Sequence, residues 1–171
     1  LLKVECDGIL VCHDSGKPDR LIAVLAASGC YVHLLGADTA NAFDPDIVAF
    51  TGDLANHPGV LPSVETYLKG FHHREGAFLV GGNIDRGLDL DAIAQCTGFE
   101  NIEGKAHRLI MQGSSITVMG LGIQEAHLRS SLRALTKSVV GGDFVLLLSH
   151  FPDALFTAQR EPVDLMLSGH T

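Results

Sequence analysis

The sequence predicts an α/β domain with a mainly parallel sheet and one antiparallel hairpin. Three observations lead to this fold class. Short apolar runs of four to six residues are closed by Gly or Ser, as is typical of buried strands. Segments with apolar residues at helical spacing separate these runs. The pair Gly113-Ser114 lies between the segments HRLIMQ and SITVMG, which is a hairpin signal.

The predicted elements follow one another along the chain with short connections. In the first half they are a strand over 8–12, a helix over 18–28 with Pro18 in its first turn, a possible strand over 30–35, a loop over 36–46 and a strand over 47–51. In the second half they are a helix over 62–71, a strand over 77–80, a helix over 88–97 closed by Gly98, the hairpin, a helix over 126–137, a strand over 144–148, a helix opened by Pro152 and a strand over 163–167.

Length and composition bound the class of protein. With 171 residues the chain can bury one core, so we expect a single domain over 1–171, truncated at its C-terminus because SGHT follows directly on an apolar strand. The formal net charge of −8 argues against nucleic-acid partners, which need Lys and Arg on phosphates. A bound metal would make the local charge of a site positive. The acidic composition therefore does not exclude a phosphorylated substrate.

Cysteines and apolar stretches predict the location of the protein. The four cysteines form no CxxC pair and are expected to be buried thiols of a reducing compartment. The longest apolar stretch, Leu21 to Leu35, is too short and too interrupted to span a bilayer. We therefore expect a cytoplasmic protein without a transmembrane segment, with peripheral membrane association left open, as is the oligomeric state.

Four polar residues each follow the end of an apolar run: Asp53, Asn83, His150 and His170. Ligand sites of parallel sheets form outside the carboxyl ends of the strands, so we expect these side chains to converge. Their oxygen and nitrogen donors suit a divalent metal. Taken singly, each has an ordinary structural explanation, because Asp forms turns, Asn tolerates left-handed backbone and a lone His is often a satisfied polar residue.

The same strand ends carry a recognisable motif series. TGD (51–53), GN-x-D (82–85), SHFPD (149–153) and SGHT (168–171) resemble the calcineurin-like metallophosphoesterases from about residue 45 onward. The resemblance is greatest to the bacterial branch related to YkuE-type phosphoesterases and UDP-2,3-diacylglucosamine hydrolases. It implies a four-layer α/β/β/α sandwich. It also implies two divalent cations (Mn, Fe or Zn) and hydrolysis of a phosphomonoester, phosphodiester or pyrophosphate by a metal-activated water.

The resemblance assigns roles to individual residues. Asp53 matches the carboxylate that bridges two metals, and Asn83, His150 and His170 match the ligands of the second metal. Asp53, Asn83 and His150 are thus the expected catalytic residues. For the first metal the candidates are His13 and Asp14. Arg86 and His57 are candidates for binding the substrate, a small-molecule phosphoester or a lipid-linked pyrophosphate.

The sequence departs from the family pattern at three positions. Ile84 stands where the family has His, and loss of one positioned acid typically costs ~10²–10⁴-fold in rate. The first motif, an Asp-x-His pair in the family, is not intact in His13-Asp14-Ser15-Gly16. The final His of the GHxH motif would follow Thr171, where the chain ends. We therefore expect one complete metal site and one weak or empty site.

Two alternative functions follow from these departures and from the fold class. The first is a catalytically impaired relative that binds metal, a phosphate ligand or a protein partner as a scaffold. The second is a nucleotide-binding α/β domain. It is disfavoured because the sequence has neither GxGxxG after the first strand nor GxxxxGK[ST].

Overall fold

A computed structural model describes residues 2–5, 8–13, 21–27, 37–42, 44–55, 57–111 and 113–170, with the backbone alone before residue 37. The strands in this part of the chain are β1 (Leu2–Glu5), β2 (Gly8–His13), β3 (Leu21–Ala27), β4 (Ile47–Phe50), β5 (Gly76–Leu79), β6 (Glu100–Asn101), β7 (Ala106–Met111), β8 (Ser114–Leu121), β9 (Phe144–Ser149) and β10 (Leu165–Ser168). The helices are α1 (Ala37–Asn41), α2 (Leu61–Lys69), α3 (Leu90–Thr97), α4 (Arg129–Thr136) and α5 (Leu155–Ala158).

The strands form two five-stranded sheets. Sheet I has the order β1-β10-β9-β8-β7, and sheet II has the order β2-β3-β4-β5-β6. Each sheet is parallel except for one hairpin, which joins β7 to β8 in sheet I and β2 to β3 in sheet II. The predicted mainly parallel sheet and the hairpin around Gly113 are thus confirmed. The structure adds a second antiparallel pair, β2–β3, which the sequence did not predict.

Strand periodicity sorts the core into layers. In β4, Ile47 and Ala49 face sheet I, whereas Val48 and Phe50 face the helices. Leu146 and Leu148 of β9 complete the contact between the two sheets. On the outer side of sheet II lie α2 and α3, which contribute Leu68, Ile93 and Ala94. On the outer side of sheet I lie α4 and α5, which contribute Leu132, Leu135 and Ala158.

The result is a four-layer α/β/β/α sandwich, as the sequence motifs implied. Because both faces of each central strand are covered, these strands are continuous apolar runs instead of alternating ones. IVAF in β4 and LMLS in β10 are buried along their whole length.

The helix predicted over 18–28 is wrong, because the chain forms β3 at Leu21–Ala27. Residues 21–27 are LIAVLAA, and a continuous apolar run of this length can be a buried strand or a buried helix. Pairing decides the outcome. β3 is antiparallel to β2 along its length, and its Ala26 and Ala27 pair with Ala49 and Phe50 of β4.

Smaller differences concern a loop and a cysteine. Part of the loop predicted over 36–46 is helical in α1. Cys96 was expected to be buried but is exposed, because Ile93, Ala94 and Thr97 form the inward face of α3. The possible strand over 30–35 lies outside the described residues. Within the described ranges, no helix has the length and apolar character needed to cross a bilayer.

Candidate metal centre

Four of the predicted site residues converge at one edge of the two sheets. The ring atom Nε2 of His150 lies 2.8 Å from Oδ1 of Asn83, 3.2 Å from Nδ1 of His170 and 3.4 Å from Oδ1 of Asp53. Potential ligand atoms of Asp53, His150 and His170 all lie within 4.8 Å of one another. The parallel strands β4, β5, β9 and β10 deliver these side chains from their carboxyl ends, as predicted.

Close backbone packing fixes the loops that carry these ligands. A Cβ on Gly82 would collide with the backbone and carboxylate of Asp53, and one on Gly52 would collide with the His150 ring. Asp53 and His170 have φ of 60° and 57°, in the left-handed region. Non-glycine residues there cost about 1–3 kcal/mol and persist where the surroundings fix them, often at functional sites.

The hydrogen bonds of His150 determine which ring nitrogen carries the proton. The ring is fully buried, and Nδ1 donates to the carbonyl oxygen of Thr51 at 2.8 Å. A carbonyl only accepts, so in the neutral imidazole Nε2 carries a lone pair. That lone pair faces the oxygens of Asn83 and Asp53, which are also acceptors. Nδ1 of His170, at 3.2 Å, is a ring nitrogen that can donate to this lone pair, whereas the two oxygens place electron-rich atoms against it.

A divalent cation bound among these atoms would remove the repulsion between their lone pairs. Cations with ligand bonds of about 2.1 Å hold neighbouring ligand atoms about 3.0–3.4 Å apart in octahedral or tetrahedral geometry. The separations of His150 Nε2 from His170 and Asp53, 3.2 and 3.4 Å, fall in this range, and the 2.8 Å to Asn83 is slightly shorter. The donation from Nδ1 to a backbone carbonyl is the outer contact that metal-binding histidines usually make. Two imidazoles, an amide and a carboxylate fit Mn, Fe or Zn.

Asp85 joins the loops that carry Asp53 and Asn83. Its Oδ1 accepts from the backbone N–H of Ala55 at 3.0 Å, and its Oδ2 accepts from that of Gly82 at 2.7 Å. Burial raises the pKa of Asp85 above its ordinary value, although the two backbone donors oppose this rise. The Asp of the GN-x-D motif therefore positions ligands, and each of its carboxylate oxygens accepts a backbone hydrogen bond.

Aromatic contacts form one wall of the centre. The ring of Phe151 lies edge-on to those of His150 and His170, with centroids 5.1 and 4.7 Å away. His127 stacks on the same ring at 6.0 Å. No periodic pattern in the sequence predicts this wall, although Phe151 directly follows a predicted ligand.

The remaining predicted site residues lie in different places. The side chain of Arg86 is exposed on the loop after Asn83. His57 caps the short 3₁₀ turn Pro58–Val60, where its Nδ1 accepts from Gly59 N–H at 2.9 Å. Ile84 lies beside the centre, and its backbone N–H donates to Asp53 Oδ1 at 3.3 Å.

His13, one of the two candidates for the first metal, does not lie at the centre. His13 ends β2 and pairs with Leu21, where β3 begins. Since β3 runs parallel to β4, this end of β2 lies at the opposite edge of sheet II from Asp53. The expectation for His13 is therefore corrected, because the hairpin reverses the direction of β2. Asp14 lies outside the described residues.

Comparison with known proteins points in the same direction as the geometry. No family model matches the chain. The chain is 28% identical over 144 residues to a protein named uncharacterized metallophosphoesterase YkuE, from Bacillus subtilis (strain 168). The match covers 78% of this chain and 49% of that protein, so the chain spans about half the length of this curated relative. This similarity supports a metallophosphoesterase family, and the two-sheet architecture agrees with a fold of that type.

Proposed function

We propose that the protein is a metal-dependent phosphoesterase that hydrolyses a phosphomonoester, a phosphodiester or a pyrophosphate. The observation that carries the proposal is the group of acceptor atoms around the buried Nε2 of His150. These atoms come from the ends of four strands in two sheets. They are oxygen and nitrogen atoms of the kinds that coordinate a divalent cation. The similarity to a protein named a metallophosphoesterase supports the reaction class.

In this proposal the chain's own groups have separate tasks. Asn83, His150 and His170 would hold one cation, and Asp53 would bridge it to a second. The bound cations would supply Lewis acidity and lower the pKa of a coordinated water. Thr51 and Asp85 orient the ligands through the hydrogen bonds described above. The exposed guanidinium of Arg86 can donate two parallel hydrogen bonds to a substrate phosphate, and His57 remains a candidate for the same role.

The other half of a two-metal centre requires a ligand from the N-terminal segment. Asp14 remains a candidate. In sheet I, Glu5 of β1 pairs with Ser168 of β10, two residues before His170. The carboxyl end of β1 thus opens on the same edge of the sheets as the candidate centre. Comparing the metal content of the wild-type and Asp14→Asn proteins would test this assignment.

The finer assignments extend the same proposal. The cations would be Mn, Fe or Zn, and the substrate a small-molecule phosphoester or a lipid-linked pyrophosphate. The protein would work in the cytoplasm, at the membrane periphery if the substrate is lipid-linked.

A second candidate function is a scaffold that binds metal or phosphate without turnover. Ile84 favours it, because the side chain at this position has no proton to give to a leaving oxygen. The two functions differ in what an added imidazole would do.

The experiment is hydrolysis of bis(4-nitrophenyl) phosphate in the presence of Mn²⁺. For the enzyme, we expect measurable turnover by the wild-type protein and a rise of about 10²-fold or more in Ile84→His. Ile84→Gln is the matched control, since it adds polarity without a transferable proton and should stay near wild type. Metal binding without turnover in any of the three proteins would support the scaffold instead.

A further inference from the structure

A groove lies beside the candidate metal centre, at the same edge of the sheets. Its volume is about 430 Å³, and it runs between the loop that carries Asn83 and residues 122–125, which follow β8. Gly81 and Gly82 form one wall. Because Gly82 packs against Asp53, the groove begins directly behind a proposed ligand. A substituent of a phosphoester held at the centre would have to pass Gly82 to enter this groove.

Three carboxylates line the groove: the buried Asp85, whose oxygens already accept backbone N–H groups, and the half-buried Glu103 and Glu125. Glu103 is held in place because its Oε1 accepts from the backbone N–H of Gly81 at 3.0 Å. Glu125 lies close to Gly104, where a Cβ would come within 3.7 Å of its Oε2. Within the described part of the chain, no hydrogen bond is seen to Glu103 Oε2 or to the carboxylate of Glu125. The groove therefore presents charged oxygen atoms that can accept hydrogen bonds from a bound molecule.

The other residues that line the groove limit which chemical groups can bind there. Leu88, Leu90 and Ile123 give it an aliphatic surface, and Arg86 is its cation. No aromatic ring is among these lining residues, so nucleobase stacking and the cage that quaternary ammonium groups prefer are both lacking. Three carboxylates against one guanidinium leave the groove net negative, which disfavours a second phosphate or carboxylate. A sugar or glycerol unit has hydroxyl donors for the carboxylates and C–H faces for the aliphatic residues.

We infer that the groove binds a hydroxyl-bearing substituent of the substrate, in which hydroxyls donate to Glu103 and Glu125. The protein would then prefer phosphodiesters of sugars or glycerol over simple alkyl phosphodiesters. This inference rests on the proposed function for the phosphate itself, whereas the groove and its carboxylates belong to the structure. A carboxylate–hydroxyl hydrogen bond is worth about tenfold in binding.

The test compares two diesters of 4-nitrophenyl phosphate in the Mn²⁺-loaded protein, one esterified to O6 of glucose and one to methanol. We expect the ratio of their kcat/KM values to favour the sugar diester by about 10-fold to 100-fold. Glu103→Gln and Glu125→Gln should each lower this ratio by several-fold, and the double variant should bring it near one. Glu75→Gln, on the exposed surface outside the groove, is the matched control and should keep the wild-type ratio. A wild-type ratio near one, or an unchanged ratio in the double variant, would overturn the inference.

A binding measurement separates the failure of this inference from the failure of the proposed function. If neither diester is hydrolysed, glucose 6-phosphate and methyl phosphate are titrated into the Zn²⁺-loaded protein by calorimetry. The inference expects the sugar phosphate to bind about tenfold more tightly than methyl phosphate, and expects this advantage to vanish in the double variant. Equal affinities would overturn it, and so would tighter binding of phosphoethanolamine, since the carboxylates would then select a cation.

Discussion

Two polar clusters lie at the opposite ends of β9, and they differ in how their charges are balanced. Before the strand, the fully buried carboxylate of Asp143 accepts two hydrogen bonds from Arg108, at 2.8 and 2.9 Å. The hydroxyls of Ser115 and Thr117 donate to the same carboxylate at 2.5 and 2.7 Å. After the strand, His150 faces the acceptor atoms of Asp53 and Asn83.

The difference shows what each cluster requires. The carboxylate of Asp143 pairs with Arg108 and accepts hydrogen bonds from Ser115 and Thr117. This cluster therefore needs no bound ligand. The His150 cluster gathers electron-rich atoms from both sheets, and no Lys or Arg among the described residues forms an ion pair with Asp53. Such an arrangement around the buried ring of His150 is unfavourable alone and becomes favourable when a cation binds, although His170 itself is exposed. We therefore interpret one cluster as structural and the other as a binding site.

Asp53→Asn should have the largest effect, and only when metal is present. Asn tolerates the left-handed backbone at this position, so the change isolates the charge. We expect metal affinity to fall about 100-fold, as losses of metal-site residues reach this size. At a metal concentration 100 times the wild-type Kd, binding stabilises the wild-type protein by about 2.7 kcal/mol and the variant by about 0.4 kcal/mol.

Calorimetry and urea unfolding, each with and without Mn²⁺, measure these quantities. In chelator, Asp53→Asn should be at least as stable as wild type, because an uncompensated carboxylate has been removed. Exposed His73→Ala serves as the control and should leave metal affinity unchanged. If Asp53→Asn lost as much stability in chelator as in Mn²⁺, the two clusters would not differ in their need for a cation.

Gly82→Ala tests whether backbone packing holds the binding cluster together. The added methyl group meets the backbone of Asp53, so we expect a loss of about 1–3 kcal/mol in the free energy of unfolding and weaker metal binding. Gly141→Ala is the matched control, because a Cβ there meets nothing within 4 Å. It should change stability by no more than about 0.5 kcal/mol. Equal effects of the two substitutions would show that the approach of Gly82 to Asp53 is not constrained.

The complete cluster should respond to pH and not to metal. The Arg108 guanidinium, helped by Ser115 and Thr117, holds the pKa of Asp143 well below its ordinary value. A depressed carboxyl pKa stabilises the fold above the unfolded pKa of about 3.9, and this contribution is lost as pH falls below it. In urea unfolding with chelator, the difference between wild type and Asp143→Asn should thus be constant near neutral pH and shrink below pH ~4. Exposed Asp38→Asn is the control, and a difference that is the same at pH 3 and pH 7 would contradict the assignment.

The sequence was most informative where strands are buried on both faces. IVAF, FVLLL and VDLML are continuous apolar runs that predicted β4, β9 and β10, and the polar residue after each run predicted the position of a ligand. This worked because covered parallel strands must open their carboxyl ends at a common edge. Gly98 likewise predicted the end of α3, and its φ of 82° explains why glycine is suited there.

What could not be predicted depends on contacts between distant residues. LIAVLAA is compatible with a helix until β2 and β4 pair with it on both sides. The assignment of β1 to sheet I rests on its pairing with β10, at the far end of the chain. Glu103 and Glu125 follow no motif, and their common groove arises only when β5 and β8 come from different sheets to the same edge.

The most direct test of the account is an anomalous difference map from crystals soaked in Mn²⁺. We expect a peak about 2.0–2.4 Å from Nε2 of His150, within ligand distance of Asp53, Asn83 and His170. A map without density among these four side chains, from protein that is otherwise folded as described, would contradict the central claim that they share a cation.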